Sequence, residues 1–153
     1  MIAVIQRVNR ASVVADGSPA GSIDKGLYIL LGVEKADSEA DAKALAEKIC
    51  KLRIFTDEND KMNLSVVDVK GDILVVSNFT LNANYAHGNR PDYLNSADPT
   101  TANALYEYFK KCISSIVGSC ESGVFGADMV TDMSTDGPVT IVMDSAVLLK
   151  RGK

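Results

Sequence analysis

At Ser38 the spacing of the apolar residues changes, and this change limits the chain to folds that combine sheet and helix. Before it, residues 2–8, 11–15 and 27–33 form runs rich in Val, Ile and Leu, with Asp16-Gly17-Ser18-Pro19 as a turn signal between the second and third. Three strands are expected there. After it, Ala42, Leu45, Ala46, Ile49 and Leu52 recur at helical spacing, and Ser38 followed three residues on by Asp41 resembles a capping box. A helix is expected over 39–53.

The later segments repeat this mixture. Residues 56–63 carry Asp57, Asn59 and Lys61 but have Met62 where a calcium loop needs Gly, so they read as a polar turn. Gly71-Asp72 opens a β-type run over 73–81, and the polar stretch 82–99 is a loop of the length usually tied to function. Asp98 is an N-cap candidate and Pro99 suits the first helical position. From there Ala102, Leu105, Tyr106, Phe109, Ile113 and Ile116 share one face until Gly118. The tail, 120–133 and 139–149, reads as two strands split by the turn signal Asp136-Gly137-Pro138. With 153 residues, 46% hydrophobic and 24% charged, the chain fits one globular domain over 1–153.

Function is narrowed first by elimination. A net charge of -4 argues against broad coating of nucleic acid, which depends on phosphate neutralisation, but leaves room for a small local contact. The start, MIAVIQRV, is too short in apolar length for a signal-peptide core, and no run approaches the roughly 18–20 apolar residues of a membrane span. The three cysteines, Cys50, Cys112 and Cys120, form no CxxC pair. A cytoplasmic protein with reduced thiols and no membrane association is therefore expected. The single histidine, His87, excludes a multi-histidine metal site and reads as a solvated loop residue; no metal and no cofactor are expected. No dinucleotide, triphosphate or nucleophile-elbow string is present either.

Two segments stand out. Ser77-Asn78-Phe79-Thr80 places polar side chains where an apolar strand passes into the long loop, either as an ordinary strand end or as hydroxyls and N–H groups presented to a cleft. Asp136-Gly137-Pro138-Val139-Thr140 joins the most permissive residue to the most restrictive one and by composition is a tight turn.

Taken with the rest of the chain, these segments resemble the D-aminoacyl-tRNA deacylase family. The resemblance runs through the opening MIAVIQRV, then Leu52-Arg53-Ile54-Phe55, Lys61-Met62-Asn63-Leu64-Ser65 and Gly88-Asn89-Arg90-Pro91. It ends in Gly123-Val124-Phe125-Gly126-Ala127-Asp128-Met129 and Gly137-Pro138-Val139-Thr140. It implies an α+β fold, a barrel-like mixed β-sheet with two main helices packed outside, working as a homodimer on the 3′ end of aminoacyl-tRNA. It further implies that Ser77, Asn78, Phe79 and Thr80 form the catalytic strand end, with Asn78 where the family usually has Gln. Gly137-Pro138, with a cis peptide bond, would enter the partner's site, with Thr135 where the family usually has Asn. Val139 and Thr140 accompany it at the substrate. Met129 is either near the adenosine pocket or core filler, and Arg7 either holds the Gly-Pro loop through its carbonyls or makes a surface ion pair. The implied reaction is hydrolysis of D-aminoacyl-tRNA, and of glycyl-tRNA, with L-aminoacyl-tRNA rejected. A non-catalytic α+β dimer that binds a small ligand or an RNA 3′ end is the alternative, favoured by the lack of a strong base.

Overall fold

The computed structural model describes residues 1–150. In chain order the elements are β1 (Ile2–Ala15), β2 (Ser18–Ile23), β3 (Gly26–Gly32), α1 (Glu39–Cys50), β4 (Phe55–Thr56), β5 (Met62–Leu64) and β6 (Asp72–Ser77). A 3₁₀ turn (Phe79–Asn82), α2 (Pro99–Val117), β7 (Glu121–Ser122), β8 (Met129–Asp144) and α3 (Ser145–Leu148) complete it. The main sheet runs β2-β1-β3-β6-β7, and β8 pairs with β1. It is mixed, because β1 is antiparallel to its neighbours while β6 is parallel to β3 and β7.

Period-two alternation sorts the strand residues onto two faces. Ala3, Ile5, Leu27, Ile29, Ile73 and Val75 point to the face covered by α1 and α2, where Leu45, Ile49, Tyr106, Phe109 and Ile113 meet them. A fully buried side chain such as Phe109 contributes about 1.5–3 kcal/mol. Val8, Ala11, Val13, Tyr28, Leu74 and Val76 point to the other face. There β2 curls over to meet β6 and β7, and a Cβ on Gly21 would lie 2.8 Å from the Ser122 carbonyl oxygen. Only a residue without a side chain lets the sheet close to a barrel at that point.

The helices begin where their caps predict. Asp41 Oδ2 accepts from Ser38 N and Ser38 Oγ, each at 2.9 Å, and Asp98 accepts from Thr101 N at 3.0 Å. α1 stops at Cys50 rather than at 53, and Ile116 on α2 is half in solvent rather than in the core.

Five expectations about strands are corrected. Residues 2–8 and 11–15 form one strand, because β8 pairs along the whole of β1 and carries it through bulges. Ser18 and Pro19, read as turn, begin β2. The strand over 73–81 ends at Ser77, where the chain winds into the 3₁₀ turn. Most consequentially, Asp136-Gly137-Pro138 does not separate two strands. Gln6 pairs with Thr140 and Val8 with Thr135, so 136–139 loop out of a continuous β8 opposite Arg7. Finally, 145–148 form α3 rather than strand, with Asp144 accepting from Ala146 N at 2.9 Å.

Candidate active site

The parallel pair β3 and β6 end side by side, and a cavity of about 690 Å³ opens at that end between the sheet, the start of α2 and the turn before β8. Its lining includes Ser77, Asn78 and Phe79 at the mouth and Met129 further in. Ligand sites favour such carboxyl ends of parallel strands, where backbone groups leave the ladder.

Asn78 caps the 3₁₀ turn with extended backbone, and its own N–H donates to Leu31 O at 2.8 Å. Thr80 Oγ1 donates to Asn78 Oδ1 at 2.5 Å. The N–H groups of Phe79 and Thr80 are the first two of the turn and have no intrahelical acceptor; among the described residues no hydrogen bond from either is found. The turn is anchored from behind by Asn82, which is buried and donates through Nδ2 to Val33 O at 2.8 Å and Ser96 Oγ at 3.3 Å. Ser96 Oγ in turn donates to Phe79 O at 3.4 Å. The exposed Phe79 ring packs edge-on against Tyr93, centroids 5.0 Å apart.

The second segment lies elsewhere on the chain. Gly137 and Pro138 are exposed, Thr140 is exposed opposite Gln6, and Val139 packs at the edge of the main core. The 137–138 bond is cis, as the resemblance implied. Arg7, only 8% exposed, anchors this excursion: Nη1 donates to Ile54 O at 2.7 Å, and Nε reaches Asp136 O at 3.3 Å and Asp136 Oδ2 at 3.0 Å. Arg7 thus reaches both the carbonyl and the carboxylate of Asp136; its contact to Ile54 is buried, the one to the Asp136 carbonyl is partly buried, and the carboxylate is partly in solvent. Met129 lines the cavity and also packs against the cluster that contains Val76. Within one chain, then, Ser77, Asn78, Phe79 and Met129 come together, whereas Thr80 sits beside the cavity and Arg7, Gly137, Pro138, Val139 and Thr140 do not line it.

The sequence of the D-Tyr-tRNA(Tyr) deacylase family matches residues 4–144. The chain belongs to that family. Proteins named D-aminoacyl-tRNA deacylase share this extent: the one from Flavobacterium johnsoniae is 51% identical over 146 residues, covering 95% of this chain and 97% of its own. That from Actinobacillus succinogenes is 52% identical over 146 residues, covering 95% and 100%. Among solved structures, one described as a c-Myc DNA unwinding element binding protein superposes with a TM-score of 0.88 at 36% identity, over 94% of this chain and 98% of its own. A probable eukaryotic D-amino acid tRNA deacylase shares the fold at a TM-score of 0.79 and 14% identity, over 93% and 97%.

Two groups escaped the sequence reading. Asn82 and Ser96 support the turn from within a loop that looked uniformly polar, and Tyr28 and Thr131 line the cavity from strands far apart in sequence. The only available signal was a phenol inside the apolar run 27–33. Burial pushes the Tyr28 hydroxyl above its ordinary pKa, against the opposing bond from Thr131, so it stays protonated. Among the described residues no cluster of His, Cys, Asp and Glu is placed to hold a metal, and no helix is long and apolar enough to cross a membrane.

Proposed function

We propose that this chain hydrolyses the ester joining a D-amino acid to the 3′-terminal adenosine of tRNA, releasing both, and spares L-aminoacyl-tRNA through the Gly137-Pro138 segment of a second copy. The observation that carries the reading is the cavity with Ser77, Asn78 and Phe79 at its mouth in a chain of this family. Water attacks the ester carbonyl, and the developing oxyanion needs donors aimed at it; the unengaged N–H groups of Phe79 and Thr80 suit that role. The vicinal 2′-hydroxyl of the terminal ribose helps activate the water, which removes the need for a strong protein base. Contact confined to the tRNA end is compatible with a net charge of -4.

A homodimer is supported by β8, a 16-residue strand that pairs only with β1 among the described residues and exposes Val130 and Val142. Long bare edges of this kind are normally covered. The exposed Gly137-Pro138 segment projects from the same strand, in keeping with delivery to a neighbour's cavity. Glycyl-tRNA passes the same filter, since glycine has no side chain to meet it.

The deciding assay follows loss of label from D-tyrosyl-tRNA and L-tyrosyl-tRNA. Loss of the D form alone is expected; loss of both would mean an unselective esterase, and retention of both would favour the non-catalytic binding module.

Thr80 is assigned to positioning. Its hydroxyl proton is directed at a carboxamide oxygen, which is too weak a base to accept it, so no activated nucleophile results. Thr80→Ala should therefore keep deacylation within about tenfold of the parent kcat, the value of one hydrogen bond of ~1 kcal/mol. Complete loss in a folded variant, with an acyl-enzyme trapped on the parent protein, would make Thr80 the nucleophile.

A further inference from the structure

The inner wall of the cavity is apolar where Leu30, Val76, Phe125 and Met129 line it, yet two hydroxyls lie among these groups. Tyr28 OH and Thr131 Oγ1 are 3.1 Å apart, and Tyr28 is 3% exposed. The strands put them there: Tyr28 lies on β3 and Thr131 on β8, on either side of β1, and both point to the face occupied by Val8, Leu74 and Val76. Apart from Thr131, the neighbours of this phenol on that face are apolar.

One mutual bond leaves much of the pair unused. Two hydroxyls offer two donors and four lone pairs; after one bond, one donor hydrogen and three lone pairs remain. The other phenol lining the cavity, Tyr106, is already committed, donating to Val75 O at 3.0 Å. Because Tyr28 and Thr131 bond to each other, holding them there carries no orphaned buried group. A ligand edge that presents a donor beside an acceptor can join this pair without breaking it. Phe125 and Met129 on the same wall offer an aromatic ring and a thioether to the face of a flat heterocycle.

We infer that Tyr28 and Thr131 read the hydrogen-bonding edge of the terminal purine, making them specificity-determining residues for the nucleoside rather than for the amino acid. This rests on the reading above that the cavity takes the 3′-terminal nucleotide with its ester at Ser77–Phe79. Adenine supplies an exocyclic amino donor next to a ring-nitrogen acceptor, which matches the free acceptors and the free donor of the pair.

The test uses the full chain with D-alanyl and D-tyrosyl minihelices that end either in adenosine or in purine riboside, which lacks the amino group. The parent protein is expected to prefer the adenosine ending by about tenfold, equivalent to ~1.4 kcal/mol. Tyr28→Phe and Thr131→Val should each raise KM for the adenosine ending by about five- to tenfold, with the effect on KM rather than kcat, and should erase the preference for adenosine. Calorimetric binding of adenosine 5′-monophosphate against purine riboside 5′-monophosphate should change in parallel. That readout needs no hydrolysis, so it tests the pair even if the parent protein cleaves no D-aminoacyl minihelix, a result that would count against the proposed reaction instead. A preference for adenosine that survives both substitutions would overturn the inference. So would losses confined to D-tyrosyl substrates, because the pair would then be contacting the amino-acid side chain.

Discussion

Arg7→Met should lower deacylation of D-tyrosyl-tRNA by about a hundredfold and destabilise the protein by ~3 kcal/mol. The guanidinium joins β1, the segment after α1 and the 136–139 excursion, through Ile54 O, Asp136 O and Asp136 Oδ2. Its partners contribute unequally. The Asp136 carboxylate is 39% exposed, so that ion pair is screened and worth little by itself. The bond to Ile54 O is buried, and removing its donor leaves a carbonyl out of reach of water, at a cost larger than a surface bond ever contributes. Methionine keeps the apolar stem, so the loss reports on the donors rather than on packing. For a domain of this size the expected fall in Tm is roughly 10 °C, read by thermal unfolding. Activity falls further than stability explains, since 136–139 is tied to its own chain by strand pairs only at its two ends and a displacement near 1 Å suffices to misplace it. Arg7→Lys, with one point charge in place of a fork, should fall between the two. A variant that unfolds earlier yet hydrolyses the ester at the parent rate would show that the excursion takes no part in the reaction.

The same excursion marks the boundary of what could be read from the residues alone. The helices were legible because their determinants are local: period, N-cap and a terminal Gly118 lie within the element itself. Asp136-Gly137-Pro138 carries equally strong local signals, but a hairpin and a loop bulged from one strand have the same turn chemistry. What decides between them is β1, which pairs with 129–135 and with 140–144 and so holds both sides in one line. That partner is more than 100 residues away in sequence, and no turn rule contains it. The cavity shows the same division. Ser77, Asn78 and Phe79 are adjacent and were visible as polar residues ending an apolar run. Tyr28, Phe125 and Thr131 come together only through the β3-β1-β8 arrangement and the turn before β8. The anchoring of Phe79 by Ser96 and Asn82 crosses a loop whose composition says only that it is solvated.

Gly137→Ala should remove most of the distinction between D and L substrates. A preference of about 10⁴ for D-tyrosyl over L-tyrosyl-tRNA corresponds to roughly 5.5 kcal/mol. Favourable contacts to one side chain could not supply that for amino acids of different size and polarity, because a pocket gains only about 1–3 kcal/mol per methylene-sized difference. Rejection by a rigid backbone can, since it acts on the position of Cβ, which every chiral amino acid shares. Gly137 suits such a wall: it is exposed, lies at φ +125°, and has no side chain between its backbone and whatever approaches. A Cβ added there would stand 2.8 Å from both Val139 N and Val139 Cγ2, so alanine forces the backbone to move. The strand pairs on either side, Val8 with Thr135 and Gln6 with Thr140, are untouched, and the residue is outside the core, so the fold should survive. The variant is expected to lose about a hundredfold in the rate on D-tyrosyl-tRNA, while hydrolysis of L-tyrosyl-tRNA rises about tenfold, so that the D to L ratio narrows from about 10⁴ to about 10. Glycyl-tRNA distinguishes the two effects, because it has no side chain to be rejected: its rate should fall with the D substrate and show no gain of the L kind. If Gly137→Ala keeps a ratio near 10⁴ in a folded variant, the wall that excludes L side chains is built from other residues.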